Sequence, residues 1–192
     1  TWSLVGSEMC IRDRLYKLQT KQGKPIYGVE LKIVDDEGSE LPNDGEAFGR
    51  LLIRGPWINK RYYKFEEDAV DADGWFDTGD ISTIDPEGYM TIVDRAKDVI
   101  KSGGEWISSV DLENVAQGHP DIMQACVIGV AHPKWDERPL LLVVPANDKK
   151  DKDDIFGYLD GKIAKWWKPD DIVFLDELPL GATGKVLKVN LR

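Results

Sequence analysis

Asp94 to Ser108 read DRAKDVIKSGGEWIS, and at this stretch the 192-residue chain changes character. Lysines, a glycine pair and an indole share one short window. A flexible loop has no need of the indole, and a core strand does not favour the lysines. Before Asp94 the pattern is mostly β. VELKIV (Val29 to Val34) sets Val29, Leu31 and Ile33 on one face, the period-2 signature of a half-buried strand. RLLIRG (Arg50 to Gly55) predicts a second strand, and YMTIVDR (Tyr89 to Arg95) a third after the turn DPEG. These strands offer few apolar residues each, as expected of part of a larger body.

After Asp94 the spacing predicts α/β structure. Ser108, with Asp111 three residues on, starts a helix whose Leu112, Val115 and Ala116 share a face. ACVIGV and PLLLVV read as buried strands. Ile155, Leu159, Ile163 and Trp166 predict a helix from Asp153 to Trp167, stopped by Pro169. DIVFLDELP adds a strand. The expected order is β-α-β-β-α-β over about a hundred residues, enough for a core of its own. The fold class is therefore α+β, a β-rich part at 15–93, a junction at 94–97 and a small α/β domain at 98–192.

Composition narrows the partners. Hydrophobic residues make up 42% and aromatics 9%, sufficient for packed cores. The net charge of −10, with a pI near 4.7, repels a phosphate backbone, so no nucleic acid is expected. Cys10 and Cys126 show no framework spacing, which suits free thiols in a reducing compartment. No apolar run has the length of a membrane span and no leader is evident, so the expected location is cytoplasmic. TWSLVGSEMCIRDR, residues 1–14, resembles translated sequencing-adapter read-through, and the expectation is that it is non-native and that the gene continues upstream. The alternative is an ordinary segment with Cys10, Ile11 and Leu15 on one helical face.

Four stretches carry chemistry. In GWFDTGD, Asp80 follows a Thr-Gly turn and can accept two hydrogen bonds from a vicinal diol such as a ribose; a plain hairpin turn fits as well. In DRAKD, Arg95 offers a planar fork for ribose or phosphate oxygens, or closes a surface ion pair. In KSGGEW, Gly103 and Gly104 admit close approach of a ligand, and Trp106 presents a flat face to it or plugs the core. GATGK (Gly181 to Lys185) fails the Walker pattern, with two residues between the glycines and Val186 after the lysine. A lysine on a glycine turn still suits an anionic transition state. His119 and His132 share no metal-ligand spacing and read as loop residues, and no metal site is expected in this chain. Trp135, Trp166 and Trp167 read as core.

Taken together and in order, GWFDTGD, GYMTIVDRAKDVIKSGGEWISSVDLEN and the terminal GATGK resemble the acyl-adenylate-forming, AMP-binding superfamily, specifically acyl-CoA synthetases, over about Gln19 to Arg192. SGGEWISSVDLEN and HPKWDERPLL are similar to the branch handling medium- and long-chain fatty acids. GKIAKWWKPDDIVFLDELPLGATGK resembles the 3-methylmercaptopropionyl-CoA ligases. The resemblance implies an acid–thiol ligase using a small carboxylic acid, ATP and CoA. Lys185 is then the catalytic cation. Asp80 and Arg95 hold the nucleotide, with Lys101 and Trp106 near it. Lys97 is the hinge, and Gly103, Gly104 and Glu105 border the pantetheine passage. It also implies Mg²⁺ bound upstream of Leu15, where the phosphate loop and acyl pocket belong, a homodimer as one assembly of the parent, and an inactive chain on its own. The rival readings are a carrier-protein-loading or luciferase-like adenylate-forming enzyme, and a non-catalytic binding module.

Overall fold

The computed structural model describes residues 15–192, so the expectation for residues 1–14 lies outside the described residues. The chain divides into two compact units between Ala96 and Lys97.

The described part of the first unit is built on a four-stranded antiparallel sheet in the order β1-β2-β3-β4: Glu30–Val34, Phe48–Arg54, Phe76–Ile84 and Met90–Arg95. Ile33, Leu51 and Ile84 form its small core, with Leu31, Leu41, Ile53 and Met90 packed around them. Asp85 shapes the β3–β4 turn. Its carboxylate accepts the amides of Glu87 and Tyr89 at 2.9 Å each, and Gly88 supplies a φ of +82°. β3 is a strand that the periodicity did not predict. Its first half, FDTGD, is polar and contains a glycine, yet it lies between β2 and β4 because Ile81 and Ile84 are buried behind it.

The second unit contains β5 (Ile100–Ser102), β6 (Glu105–Ile107), α1 (Ser109–Gln117), β7 (Ile122–His132), β8 (Asp136–Pro145), α2 (Lys152–Leu159) and β9 (Asp171–Phe174). β8 is the axis of its sheet. β7 runs antiparallel along one side, while β5 and the parallel β9 share the other. Alternation on β8 explains the unbroken apolar run PLLLVV. Leu141 and Val143 join Val127, Leu112, Leu159 and Ile172 in the helix-covered core. Leu142 and Val144 join Cys126, Ile128 and Leu178 on the other face, which the C-terminal segment covers through Leu175, Val186 and Leu191. A strand buried on both faces reads as continuously hydrophobic. Burial and the nearby Glu113 carboxylate push the Cys126 thiol up to about 12.

Two expectations need correction here. The order is β-β-α-β-β-α-β, because KSGGEW is itself a hairpin of two short strands. The helix expected to reach Trp167 stops at Leu159. Asp160 is extended and Gly161 takes a φ of +79°, after which Lys165–Trp167 forms a single 3₁₀ turn. Ile163 and Trp167 still pack on the core, but Trp166 is 43% exposed. His119 lies in the loop just past α1, as expected, and is buried there, its Nδ1 accepting the Asp121 amide at 3.1 Å.

Candidate functional site

Asp80 owes its place to a bulge. Arg50 pairs with Ile81 and Leu52 with Asp77, so Leu51 alone faces Thr78, Gly79 and Asp80. The surplus chain is held by its own side chains. Thr78 Oγ1 donates to the Leu51 carbonyl at 3.1 Å, and the Gly79 amide donates to Asp77 Oδ1 at 2.8 Å. Gly79 provides the φ of +72° that the kink requires, and Arg50 pairs with Asp77. Bulges of this kind re-aim a side chain out of the ladder. Opposite on β4, Arg95 pairs in register with Asp80 and donates from Nη1 to Asp80 Oδ1 at 2.8 Å. Arg95 is the more open partner, its side chain 58% exposed. The two residues proposed to grip a nucleotide are thus adjacent in the first unit.

Lys97 lies exposed in the turn immediately after Arg95, at the first residue of the second unit.

The hairpin comes next. Ile100 pairs with Ile107, Lys101 with Trp106, and Ser102 with Glu105. That leaves Gly103 and Gly104 as a two-residue turn with φ of +63° and +88°. Positive φ at both positions matches the twist of the flanking strands and all but demands glycine. Lys101 Nζ lies 5.3 Å from the centre of the Trp106 ring, a cross-strand cation–π contact. Trp106 is half-buried and Glu105 exposed.

Beside the hairpin is a cleft of about 590 Å³ lined by Ser102, Gly103, Glu105, Trp135, Arg138, Trp166 and Asp170. Gly103 donates its amide to the Trp135 carbonyl at 2.8 Å, and a Cβ there would stand 2.8 Å from Trp135 Cε3. Arg138 ties the walls together. Nε donates to Asp170 Oδ1 at 2.8 Å, Nη1 to Ser102 Oγ at 3.1 Å and the Trp166 carbonyl at 2.8 Å, and Nη2 to the Lys168 carbonyl at 2.8 Å. Trp135 and Trp166 were expected in the core; both are 43% exposed and face this cleft instead. Periodicity misplaced Trp166 by running a helix through what is a single 3₁₀ turn, and gave no face to Trp135, which sits in a short irregular segment. For Trp135 the usable signal was an indole at a non-periodic position near an arginine, in WDER.

Lys185 lies elsewhere in the same unit. Leu180 bridges to Val186, the Gly181 amide donates to the Lys185 carbonyl at 2.8 Å, and Gly184 takes a φ of +75°. The result is a tight turn with Lys185 exposed at its end. Among the described residues its ammonium makes no hydrogen bond or ion pair. Its neighbour Val186 anchors the turn to the Cys126–Ile128–Leu142 face. The structure therefore groups Asp80 with Arg95, and Lys101 with Gly103, Gly104, Glu105 and Trp106. Lys185 stands on a separate turn.

Among the described residues, His119, Asp121 and Asp154 bring three possible metal donors within 4.8 Å of one another. Lys149 Nζ already pairs with Asp121 at 3.1 Å and with Asp154 at 2.5 Å, and His119 Nδ1 is engaged by the Asp121 amide. The group is an ion-pair cluster and does not fit Mg²⁺.

The model of the AMP-binding enzyme C-terminal domain matches residues 111–185, and that of the AMP-binding enzyme matches residues 3–63. The chain is 58% identical over 178 residues to a 3-methylmercaptopropionyl-CoA ligase of Ruegeria pomeroyi, covering 92% of this chain and 33% of that protein. It is 51% identical to a medium-chain-fatty-acid–CoA ligase of Ectopseudomonas oleovorans, covering 94% of this chain and 33% of that protein. Among solved structures, o-succinylbenzoate CoA synthetase of Bacillus subtilis in complex with its acyl-adenylate intermediate superposes with a TM-score of 0.78 at 31% identity. That match covers 91% of this chain and 36% of that one. The chain thus spans about a third of the length of these relatives.

Proposed function

We infer that this chain, which belongs to the AMP-binding enzyme family, forms the C-terminal third of an ATP-dependent acyl-CoA ligase. In the first step a carboxylate oxygen attacks the α-phosphorus of ATP, the α–β phosphoanhydride bond breaks, and pyrophosphate leaves. In the second, the CoA thiolate attacks the acyl carbonyl and AMP departs. Both reactants of the first step are anionic, so a cation must offset the charge as they meet. Lys185 is that cation in this reading, and Asp80, with Arg95 beside it, accepts the ribose hydroxyls. Mg²⁺ would bind in the upstream part of the parent.

One observation carries the reading. The second unit holds two separate tools, an exposed lysine on a glycine turn and a glycine hairpin bordering an aromatic cleft, and the chain joins that unit to the first at Lys97. A unit with two working faces suits two half-reactions when it pivots at Lys97. Trp135 and Trp166 offer flat apolar faces for the adenine of CoA, and the hairpin borders the path of its pantetheine arm. The substrates ATP and CoA suit a cytoplasmic enzyme. The proposed acid is 3-methylmercaptopropionate, ahead of medium-chain fatty acids.

The test is an acid panel on a full-length protein that contains this chain, with AMP and thioester measured together. Equimolar AMP and 3-methylmercaptopropionyl-CoA is the expected result. AMP without thioester would argue for another adenylate-forming activity, and neither product would refute the ligase reading. The 192-residue chain alone is expected to form no thioester.

A further inference from the structure

Three residues after Lys185, Lys188 turns inward. Its side chain is only 13% exposed, and Nζ lies 2.8 Å from Glu113 Oε1 and donates to Ser109 Oγ at 2.6 Å. Glu113 is 19% exposed, and its Oε1 also accepts the Val127 amide at 2.8 Å. The C-terminal segment is therefore fastened at one point to helix α1 and to the middle of β7. Ser109 is the first residue of α1, directly after the N-cap Ser108, which follows the hairpin strand β6. The anchor of the Lys185 turn and the base of the glycine hairpin thus meet at the same turn of helix.

The Lys185 turn has little else to hold it. Its internal bonds are backbone contacts at Gly181, Gly184 and Leu187, and Val186 supplies its apolar contact with the sheet face. We propose that Lys188 is the positioning residue for Lys185. By its ion pair with Glu113 it fixes the register of the 180–187 turn against α1, so the Lys185 ammonium is presented at a constant height from the unit. Its relevance to catalysis rests on the reading of Lys185 given above, but the positioning itself does not. A lysine tethered to two oxygens, one of which also accepts the Val127 amide, is specific in geometry, because a partner left alone would be a desolvated charge.

The experiment is amide exchange by NMR on the 192-residue chain, read at Gly181, Gly184 and Leu187, with Leu141 and Val143 as internal references. Lys188→Met is expected to raise exchange in the turn about tenfold while the reference amides keep their rates. Lys188→Arg restores the ion pair and is expected to return the turn close to wild type. Because Lys188→Met leaves Glu113 without its cation, Lys188→Met with Glu113→Gln is the second variant. The neutral amide keeps the Val127 bond, and the turn is expected to loosen as in the single variant, since both changes remove one interaction. Lys185→Ala is the comparison and is expected to leave the turn unchanged. Wild-type exchange in the turn of both Lys188→Met variants overturns the proposal. So does an equal rise in the turn and the references, which would make Lys188 a general stabiliser, and so does failure of arginine to rescue. A failed ligase reading would leave all of these rates as predicted, so the two are separable.

Discussion

A Cβ on Gly103 would meet Trp135 Cε3 at 2.8 Å at a φ of +63°, whereas one on Gly104, at +88°, would enter open space. Gly104→Ala therefore pays for backbone strain alone, about 1 kcal/mol, and Gly103→Ala adds an overpacked indole for a total of about 3 kcal/mol. Thermal unfolding of both variants should order them that way, and equal losses would count against the Trp135 contact. Need for glycine was legible in SGGE, but the partner that makes one position stricter lies thirty-two residues on, beyond any local pattern. Cys126 offers a second check at this scale. Its thiol is raised to about 12 by burial, so it stays protonated and unreactive at pH 8. Alkylation followed by peptide mass spectrometry should leave Cys126 unmodified in the native chain and modify it in denaturant. Rapid native labelling would mean that the C-terminal segment does not cover that face.

Helix α1 begins where the capping pattern places it: Ser108 Oγ accepts the Asp111 amide at 3.1 Å. Ser108→Ala should cost about 1–2 kcal/mol, measured by urea unfolding, with the loss showing as a lower midpoint at unchanged slope. The strands with apolar alternation or continuous apolar runs were also legible, because burial on one or both faces writes a period into the sequence. Two elements were not. β3 begins with FDTGD, whose side chains serve a bulge and an ion pair instead of a core, so its strand character comes from its neighbours in the sheet. The helical spacing through Trp166 was misleading because Ile163 and Trp167 reach the same core from a loop and a 3₁₀ turn. Asp80 with Arg95 could be suspected from motif and resemblance. The cleft could not, since Trp135, Arg138, Trp166 and Asp170 converge only through tertiary contacts.

At the scale of the whole molecule, the two units differ in what holds them. Among the described residues, the second has two clusters, one on each face of its sheet, built on twelve and five buried residues; the first has a cluster of three buried residues with four partners. Residues 97–192 expressed alone should unfold cooperatively, while residues 15–96 alone should be markedly less stable, as compared by calorimetry; the reverse order would contradict this account of the cores. The central claim is functional: Lys185 and the glycine hairpin serve different half-reactions. In a full-length protein containing this chain, rapid-quench kinetics can separate adenylate formation from thioester formation with supplied acyl-adenylate. Lys185→Ala is predicted to slow the first by about 10²–10³-fold and leave the second near wild type. A Lys185→Ala variant that forms adenylate at the wild-type rate, or loses both steps equally, would contradict the claim.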